Sequence, residues 1–502
     1  MTKPRQVVLI ITDTQRRDMV GIYGGTNVRT PALDGLGRQG VVFERAYCAQ
    51  PVCGPSRSAM FTGLYPHSNG SWANSMPLAA GVKTLAQRLA PQGVHCGYIG
   101  KWHLDGSDYF GAGEAAEGWD PAYWYDMRNY LEELSPSDRE RSRDANTSVV
   151  GDGISDTFTY AHRCSERAIK FLQKNRSSDF LLVVSYDEPH HPFLAPKRFF
   201  EEYRDFTLPD YPNLADSLAD KPEHVQLWAK DARAWAESED RAAKQRDLQL
   251  YLGCNTFVDQ EIGRVLSAID DQVPDAFVLY TSDHGDALGA HRLSSKGPAM
   301  YEEITGVPLL ARWPEHIPEG IRCSQAISQI DLTPTILDAF GLEAFLDCQG
   351  KSWLKGLGDP AASHEGVAFM EFQRFEVDHD GFGGFQPIRA VTDSHLKLIV
   401  NLLTTDELYD LDLDPQEMTN LIDEPGYARR RNALHDRLLN WMNETRDPFR
   451  GYYWHYRPWR TDAGSPTWGY TGMTRQRQNE PGEKRQLDYK TGLEMIEAVR
   501  KK

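Results

Sequence analysis

The 502-residue sequence has no C-x-x-C pair: its seven cysteines stand at positions 48, 53, 96, 164, 254, 323 and 348. An odd, unpaired set in a long chain argues against a disulfide framework, so most of these thiols are expected to be buried. Excess positive charge is also missing, because 55 Lys and Arg face 72 Asp and Glu for a net charge of −17. That balance excludes nucleic acid or a membrane surface as the main partner, yet a basic pocket can still hold a small anion. Long apolar runs are absent near the start, where "MTKPRQVVLIITDTQ" offers only Val7 to Ile11 before Thr12 and Asp13. Such a run is too short for a signal-peptide core or a membrane span, and a cytoplasmic protein is expected. Neither internal repeats nor low-complexity linkers occur. With 40% apolar and 25% charged residues the composition excludes bulk disorder.

What is present is alternation of strands and helices. "RQVVLIITD", "GVHCGYIGKWH", "FLLVVSYDEPHHP" and "DAFVLYTSDHGD" are apolar strands with polar tips, and unbroken apolar strands suit a mainly parallel sheet covered on both faces. "AHRCSERAIKFLQKN" and "CNTFVDQEIGRVLSAIDD" are helical segments between them, as β-α-β connections require. From about residue 366, "GVAFMEF" and "IRAVTDSHLKLIVNL" predict a smaller antiparallel subdomain. It is followed by a helix with Leu434, Leu438, Trp441 and Met442 on one face. The expected fold class is α/β, a mixed, mainly parallel central sheet sandwiched by helices, with a smaller C-terminal α+β subdomain. The expected division is 1–365, 366–450 and an aromatic-rich extension over 451–502, suited to wrapping the parent domain or to homo-oligomer contact.

Four strands end in chemically able residues: Asp13; Lys101 with His103; His190; and Asp283 with His284. Each alone has a structural explanation, Asp13 as a helix cap or "DHGD" as an Asx turn. Their joint placement favours one site, because ligands of open α/β sheets bind at the carboxyl ends of strands. Asp13, Asp283 and His284 are donors for a divalent cation, with carboxylates favouring Ca, Mg or Mn over zinc. Lys101, His103, His190 and Lys296 would add positive charge beside it, which fits a tetrahedral oxyanion.

"CGPSR" at 53–57 resembles the C-x-P-S-R signature of the type I sulfatases, members of the alkaline-phosphatase superfamily, and the chain is similar to bacterial cytosolic sulfatases. "SAMFTGLYPHSNG", "YIGKWHLDG", "DEPHHPF", "YTSDHGDALGAH", "SKGPAMYEE" and "DELYDLDLDPQEMTNL" resemble that family's later segments, so the likeness spans about residues 6 to 425. It implies an alkaline-phosphatase-like fold and a sulfuric ester hydrolase that acts through a formylglycine hydrate and a divalent metal. Formylglycine would be formed from Cys53 by a formylglycine-generating enzyme that reads Pro55 and Arg57. In that resemblance Asp13, Cys53, Asp283 and His284 are the metal set, with calcium first and Mn or Mg as alternatives. Cys53, Arg57, Lys101, His103, His190 and Lys296 are catalytic, Arg57 also holding the hydrate, and Lys101, His190, Lys296 and His291 bind a small sulfate ester, expected to be a sulfated saccharide.

One departure is Thr14 in "TDTQ", where many members carry a second acid, so Thr14 or Gln15 would have to supply an oxygen. Phosphonate monoester and phosphodiester hydrolases of the same superfamily share this feature and are the alternative function. A non-catalytic anion-binding relative is the third class, disfavoured because the other catalytic positions are filled. Insertions at 105–165, aromatic and acidic, and at 205–245, polar and helical, stand where substrate pockets are commonly shaped, and the aromatics of the first suit surface packing at least as well as stacking on a sugar.

Overall fold

The run Gln6–Thr12 forms strand β1, and all seven residues are buried. The reason lies in two cores: Val8 and Ile10 enter one, while Val7, Leu9 and Ile11 enter the other. A strand buried on both faces needs apolar side chains at every position rather than at alternate ones. The computed structural model describes residues 5–25, 28–106, 109–144, 153–206, 211–231, 241–357, 366–377 and 384–460.

β1 is central to a nine-stranded sheet. The others are β2 (Val41–Tyr47), β3 (His95–Gly100), β4 (Trp124–Tyr125), β5 (Phe180–Ser185), β6 (Phe277–Ser282), β7 (Gly306–Val307), β8 (Leu309–Arg312) and β9 (Ile321–Ser328). The order is β4-β3-β5-β1-β6-β8-β2-β7, with β9 pairing β2. The run β4-β3-β5-β1-β6 is parallel throughout, and β8 enters antiparallel to both β6 and β2. The sheet is therefore mixed and mainly parallel, as expected. Helices α1 (Pro31–Arg38), α3 (Tyr160–Asn175) and α4 (Arg241–Gln272) give Leu33, Leu36, Phe171, Leu172, Phe257 and Ile262 to one face. Helix α2 (Cys53–Thr62) gives Met60 and Phe61 to the other. The layers are helix, sheet, helix.

A second, four-stranded antiparallel sheet follows, with β10 (Ala368–Arg374), β11 (Phe385–Thr392), β12 (Leu396–Asn401) and β13 (Glu407–Asp410) in sequence order. Helix α5 (Ala428–Glu444) comes next, and Leu434, Leu438, Trp441 and Met442 are all buried. By compactness the chain divides into Met1–Leu438 and Leu439–Lys502. Most of the aromatic extension, residues 461–502, lies outside the described residues. All seven cysteines are free thiols and five are buried. Among the described residues no helix is long and apolar enough to cross a membrane.

Candidate active site

The strands β3, β5, β1 and β6 are consecutive neighbours, so their carboxyl ends stand side by side. Backbone pairing continues past the strands: Asp283 N–H donates to Thr12 O (3.1 Å) and Lys101 N–H to Ser185 O (2.8 Å). This fixes Asp13, Lys101, Asp187 and Asp283 at one edge. Cys53 reaches them from the first position of α2, a helix in which every residue is buried. Apart from Arg57 this helix is apolar or small all round and so belongs inside the protein, and its N-terminus favours a negative group there.

The ligand atoms of Asp13, Cys53, Asp283 and His284 lie within 4.8 Å of one another. Arg57 and Lys101 set the orientation of the carboxylates. Arg57 donates from Nε to Asp283 Oδ2 (3.0 Å) and from Nη2 to Asp13 Oδ2 (3.1 Å), and Lys101 Nζ is 2.8 Å from the same Asp13 oxygen. The Oδ1 atoms are left on the side of His284 Nε2, at 3.9 Å for Asp13 and 3.7 Å for Asp283. His284 Nδ1–H donates to Gly285 O (2.7 Å), which leaves Nε2 as the ring atom aimed at the cluster, 3.2 Å from Cys53 Sγ. That second bond is what a metal-ligating imidazole needs to hold its tautomer. Two carboxylate oxygens, one imidazole nitrogen and residue 53 fit a divalent cation.

The charges agree with this fit. Burial opposes ionisation of Asp13, but Lys101, His190 and Arg57 outweigh it and hold the carboxyl well below its ordinary range. Asp283 is pushed up to about 7 by burial and by the negative charge of Asp13. A cation among these oxygens would reverse that push. Burial and Asp13 work against a Cys53 thiolate, yet Lys296, Lys101 and His284 together draw the thiol well below its ordinary value.

The anion-facing groups stand on the other side. Lys101 Nζ also donates to Asp187 Oδ1 (3.0 Å) and lies 4.0 Å from the centre of the Tyr109 ring. His190 donates from Nδ1 to the carbonyl of His191 (2.7 Å), and Lys296 Nζ donates to its Nε2 (3.1 Å). His103 is buried next to Cys53 with Nδ1 lacking a partner, and burial holds it below the usual imidazole range. Thr14 (φ 69°) and His103 (φ 57°) occupy left-handed backbone that side chains rarely adopt. Such strain gathers at functional sites.

The structure thus brings together Asp13, Cys53, Arg57, Lys101, His103, His190, Asp283, His284 and Lys296. It does not join His291 to them among the described contacts: Nδ1 of this buried side chain meets Asp216 Oδ2 at 2.7 Å, and its ring stacks on Tyr301. Arg57, fully buried, spends its guanidinium on the two aspartates, the Lys101 carbonyl and Ser185 Oγ. Thr14 touches both carboxylates, Oγ1 donating to Asp13 Oδ1 (2.6 Å) and N–H to Asp283 Oδ1 (3.1 Å). The Gln15 oxygen is taken up by Thr12 and Tyr280.

Three residues escaped the sequence reading. Tyr109, from the aromatic insertion, donates to Asp187 Oδ1 (2.6 Å) and sits 3.3 Å from His190 Nδ1; Arg143 reaches Asp187 Oδ2 at 3.4 Å. Asp187 was detectable, because it follows β5 as Asp13 and Asp283 follow β1 and β6. Tyr109 and Arg143 carried no comparable signal.

Comparison with known proteins follows the same lines. A family model described as Sulfatase matches residues 5–342, and one described as N-sulphoglucosamine sulphohydrolase, C-terminal, matches residues 289–444. The chain is 43% identical over 492 residues to the uncharacterized sulfatase YidJ of Escherichia coli, covering 97% of this chain and 96% of that one. It is 24% identical to an N-acetylglucosamine-6-O-sulfatase of Bacteroides thetaiotaomicron, over 89% of this chain and 88% of the relative. Among solved structures, a phosphonate monoester hydrolase of Agrobacterium radiobacter has a similar fold. Its TM-score is 0.72 at 23% identity, with 88% of this chain and 96% of that chain covered.

Proposed function

The chain belongs to the sulfatase family, and from that premise we propose that it hydrolyses sulfate esters of small organic molecules, sulfated saccharides foremost, in the cytoplasm. The observation that carries this reading is the buried donor cluster of Asp13, Cys53, Asp283 and His284 beside Lys101, Lys296 and His190. In this reading Cys53 is converted to formylglycine by a formylglycine-generating enzyme, whose hydrated aldehyde supplies the nucleophile, and a divalent cation supplies Lewis acidity. Asp13, Asp283, His284 and residue 53 would hold that cation. Calcium is our first assignment, and the His284 nitrogen makes manganese the next, before magnesium.

The remaining residues have separable tasks. Lys101, its charge secured by Asp13 and Asp187 despite burial, faces the negative charge that develops during attack. Arg57 keeps Asp13 and Asp283 turned so that their Oδ1 atoms share one side. Lys296 Nζ and His190 Nε2 share a proton across 3.1 Å, and this pair delivers it to the leaving oxygen as general acid. His103, kept neutral by burial, accepts a proton from residue 53 in the second half of the reaction.

A second reading, hydrolysis of phosphonate monoesters or phosphodiesters, draws on Thr14. Those esters carry the same single negative charge as a sulfate ester, so the anion-facing lysines suit both, and the replacement of the second acid by Thr14 is the observation that favours this reading. Mass analysis of the peptide containing residue 53 in an active preparation tests the main reading. The aldehyde is expected, and Cys53→Ala is expected to bind anions without turnover. A fully active preparation that carries only the unmodified thiol contradicts it.

A further inference from the structure

Tyr109 comes from the aromatic insertion after β3 and touches three residues of the anion-facing group at once. Its ring centre lies 4.0 Å from Lys101 Nζ, 5.1 Å from the centre of the His103 ring and 5.7 Å from that of His190. Packing accounts for the ring but not for the hydroxyl. That group donates to Asp187 Oδ1 at 2.6 Å and lies 3.3 Å from His190 Nδ1.

The partners decide where each proton goes. Burial opposes ionisation of Asp187, but Lys101, His190 and Arg143 hold its carboxyl below the ordinary range. A carboxylate can only accept, so it takes the phenolic proton. Burial and Asp187 push the phenol up, and Tyr109 therefore keeps that proton to give. The His191 carbonyl, 2.7 Å from His190 Nδ1, can also only accept, so Nδ1 carries a hydrogen. The Tyr109 oxygen, its own proton given to Asp187, meets Nδ1 as a second acceptor. Nε2 is the nitrogen left for Lys296, at 3.1 Å.

An imidazole that passes protons from one nitrogen needs the other tied, because the tie fixes both the tautomer and the ring orientation. The run from Asp187 through Tyr109 to His190 has that form, and it is braced from behind. Asp187 Oδ1 also accepts from Lys101 Nζ at 3.0 Å, and Arg143, from the same insertion as Tyr109, stands 3.4 Å from Oδ2.

We propose that Tyr109 is a positioning residue for the reaction: its hydroxyl, fixed by Asp187, holds the His190 ring with Nε2 turned to Lys296, as proton delivery by that pair requires. The assignment rests on the general-acid reading of the pair given above and gives the insertion a part in it.

Two aryl sulfates test it, because 4-nitrophenoxide departs without a proton whereas phenoxide needs one. The ratio of their kcat/KM values, nitrophenyl over phenyl, falls as the enzyme helps the poorer leaving group more. In Tyr109→Phe, which keeps the ring over Lys101, the ratio should rise about tenfold, a part of the roughly 100- to 10,000-fold that general acid catalysis supplies. His190→Gln should raise it further. Tyr109→Leu should show the same rise and an added loss common to both esters, as Lys101 loses its aromatic neighbour. If His190→Gln leaves the ratio unchanged, or the parent enzyme turns over neither ester, the reading above fails and takes this assignment with it. If His190→Gln raises the ratio while folded Tyr109→Phe and Tyr109→Leu do not, the Tyr109 assignment alone is overturned. Equal losses on both esters in Tyr109→Phe would mark a packing role and overturn it as well.

Discussion

Glu188 shows at the residue scale what burial costs near such a site. Its Oε1 accepts from Ala161 N–H at 3.0 Å, while Oε2 is buried without a partner, and burial together with Asp187 pushes the carboxyl up to about 8. The folded state therefore binds a proton that the unfolded state has already released above about 4.5. Stability from this group is present below about pH 4.5 and lost as pH rises toward 8. Glu188→Gln, which mimics the protonated form, should remove that loss, on the order of a few kcal/mol at pH 8. Urea unfolding of both proteins from pH 5 to 8 checks it, and parallel profiles would show that Glu188 is ionised in the fold. Asp283 supports the second residue-scale prediction. Its carboxylate faces Arg57 Nε and lies beside His284 Nε2. Since partners one shell further out cost about 10–100-fold in metal affinity, Asp283→Ala should cost more than about 100-fold. Chelation should abolish turnover in the parent enzyme and a divalent cation should restore it. Full activity of metal-free protein would remove the cation from the account.

The strand is the element whose endings carry the chemistry. β3, β5, β1 and β6 are neighbours, so acids and bases far apart in sequence meet at one edge. Gly100, the last residue of β3, has φ 125°, and a Cβ there would lie 1.8 Å from Ser185 O. That oxygen receives the Lys101 N–H, so Gly100→Ala must break the pairing that aims Lys101 at Asp13. The variant should lose about 3 kcal/mol or more of stability, and activity with it. A melting temperature and kcat equal to those of the parent would rule out this tight approach. The same strands explain what could be read in advance. β1, β3, β5 and β6 were legible because apolar runs with polar tips have few other uses, and both α3 and α4 showed their helical register. Tyr109 and Arg143 were not, because an insertion has no period that tells which of its aromatic or basic residues turns inward. Nor could spacing reveal that His291, five positions before Lys296, is taken by Asp216 and Tyr301 instead of the cluster.

At the scale of the whole molecule, a chain with a net charge of −17 gathers Arg57, Lys101 and Lys296 around one carboxylate cluster. A local positive field inside a negative protein favours a small anion over an anionic polymer, since the surrounding surface repels long-range approach. Membership of the sulfatase family and the mixed central sheet under two helical layers place the chain on a scaffold also used by phosphonate monoester hydrolases. Family and fold thus leave open which ester is cleaved fastest, and chemistry at the cluster decides it. The direct test is kcat/KM for an aryl sulfate, a phosphonate monoester and a phosphodiester, all sharing one leaving group, measured on a single metal-loaded preparation. The sulfate ester should rank first; a higher value for the phosphonate monoester or the phosphodiester would contradict the sulfatase assignment.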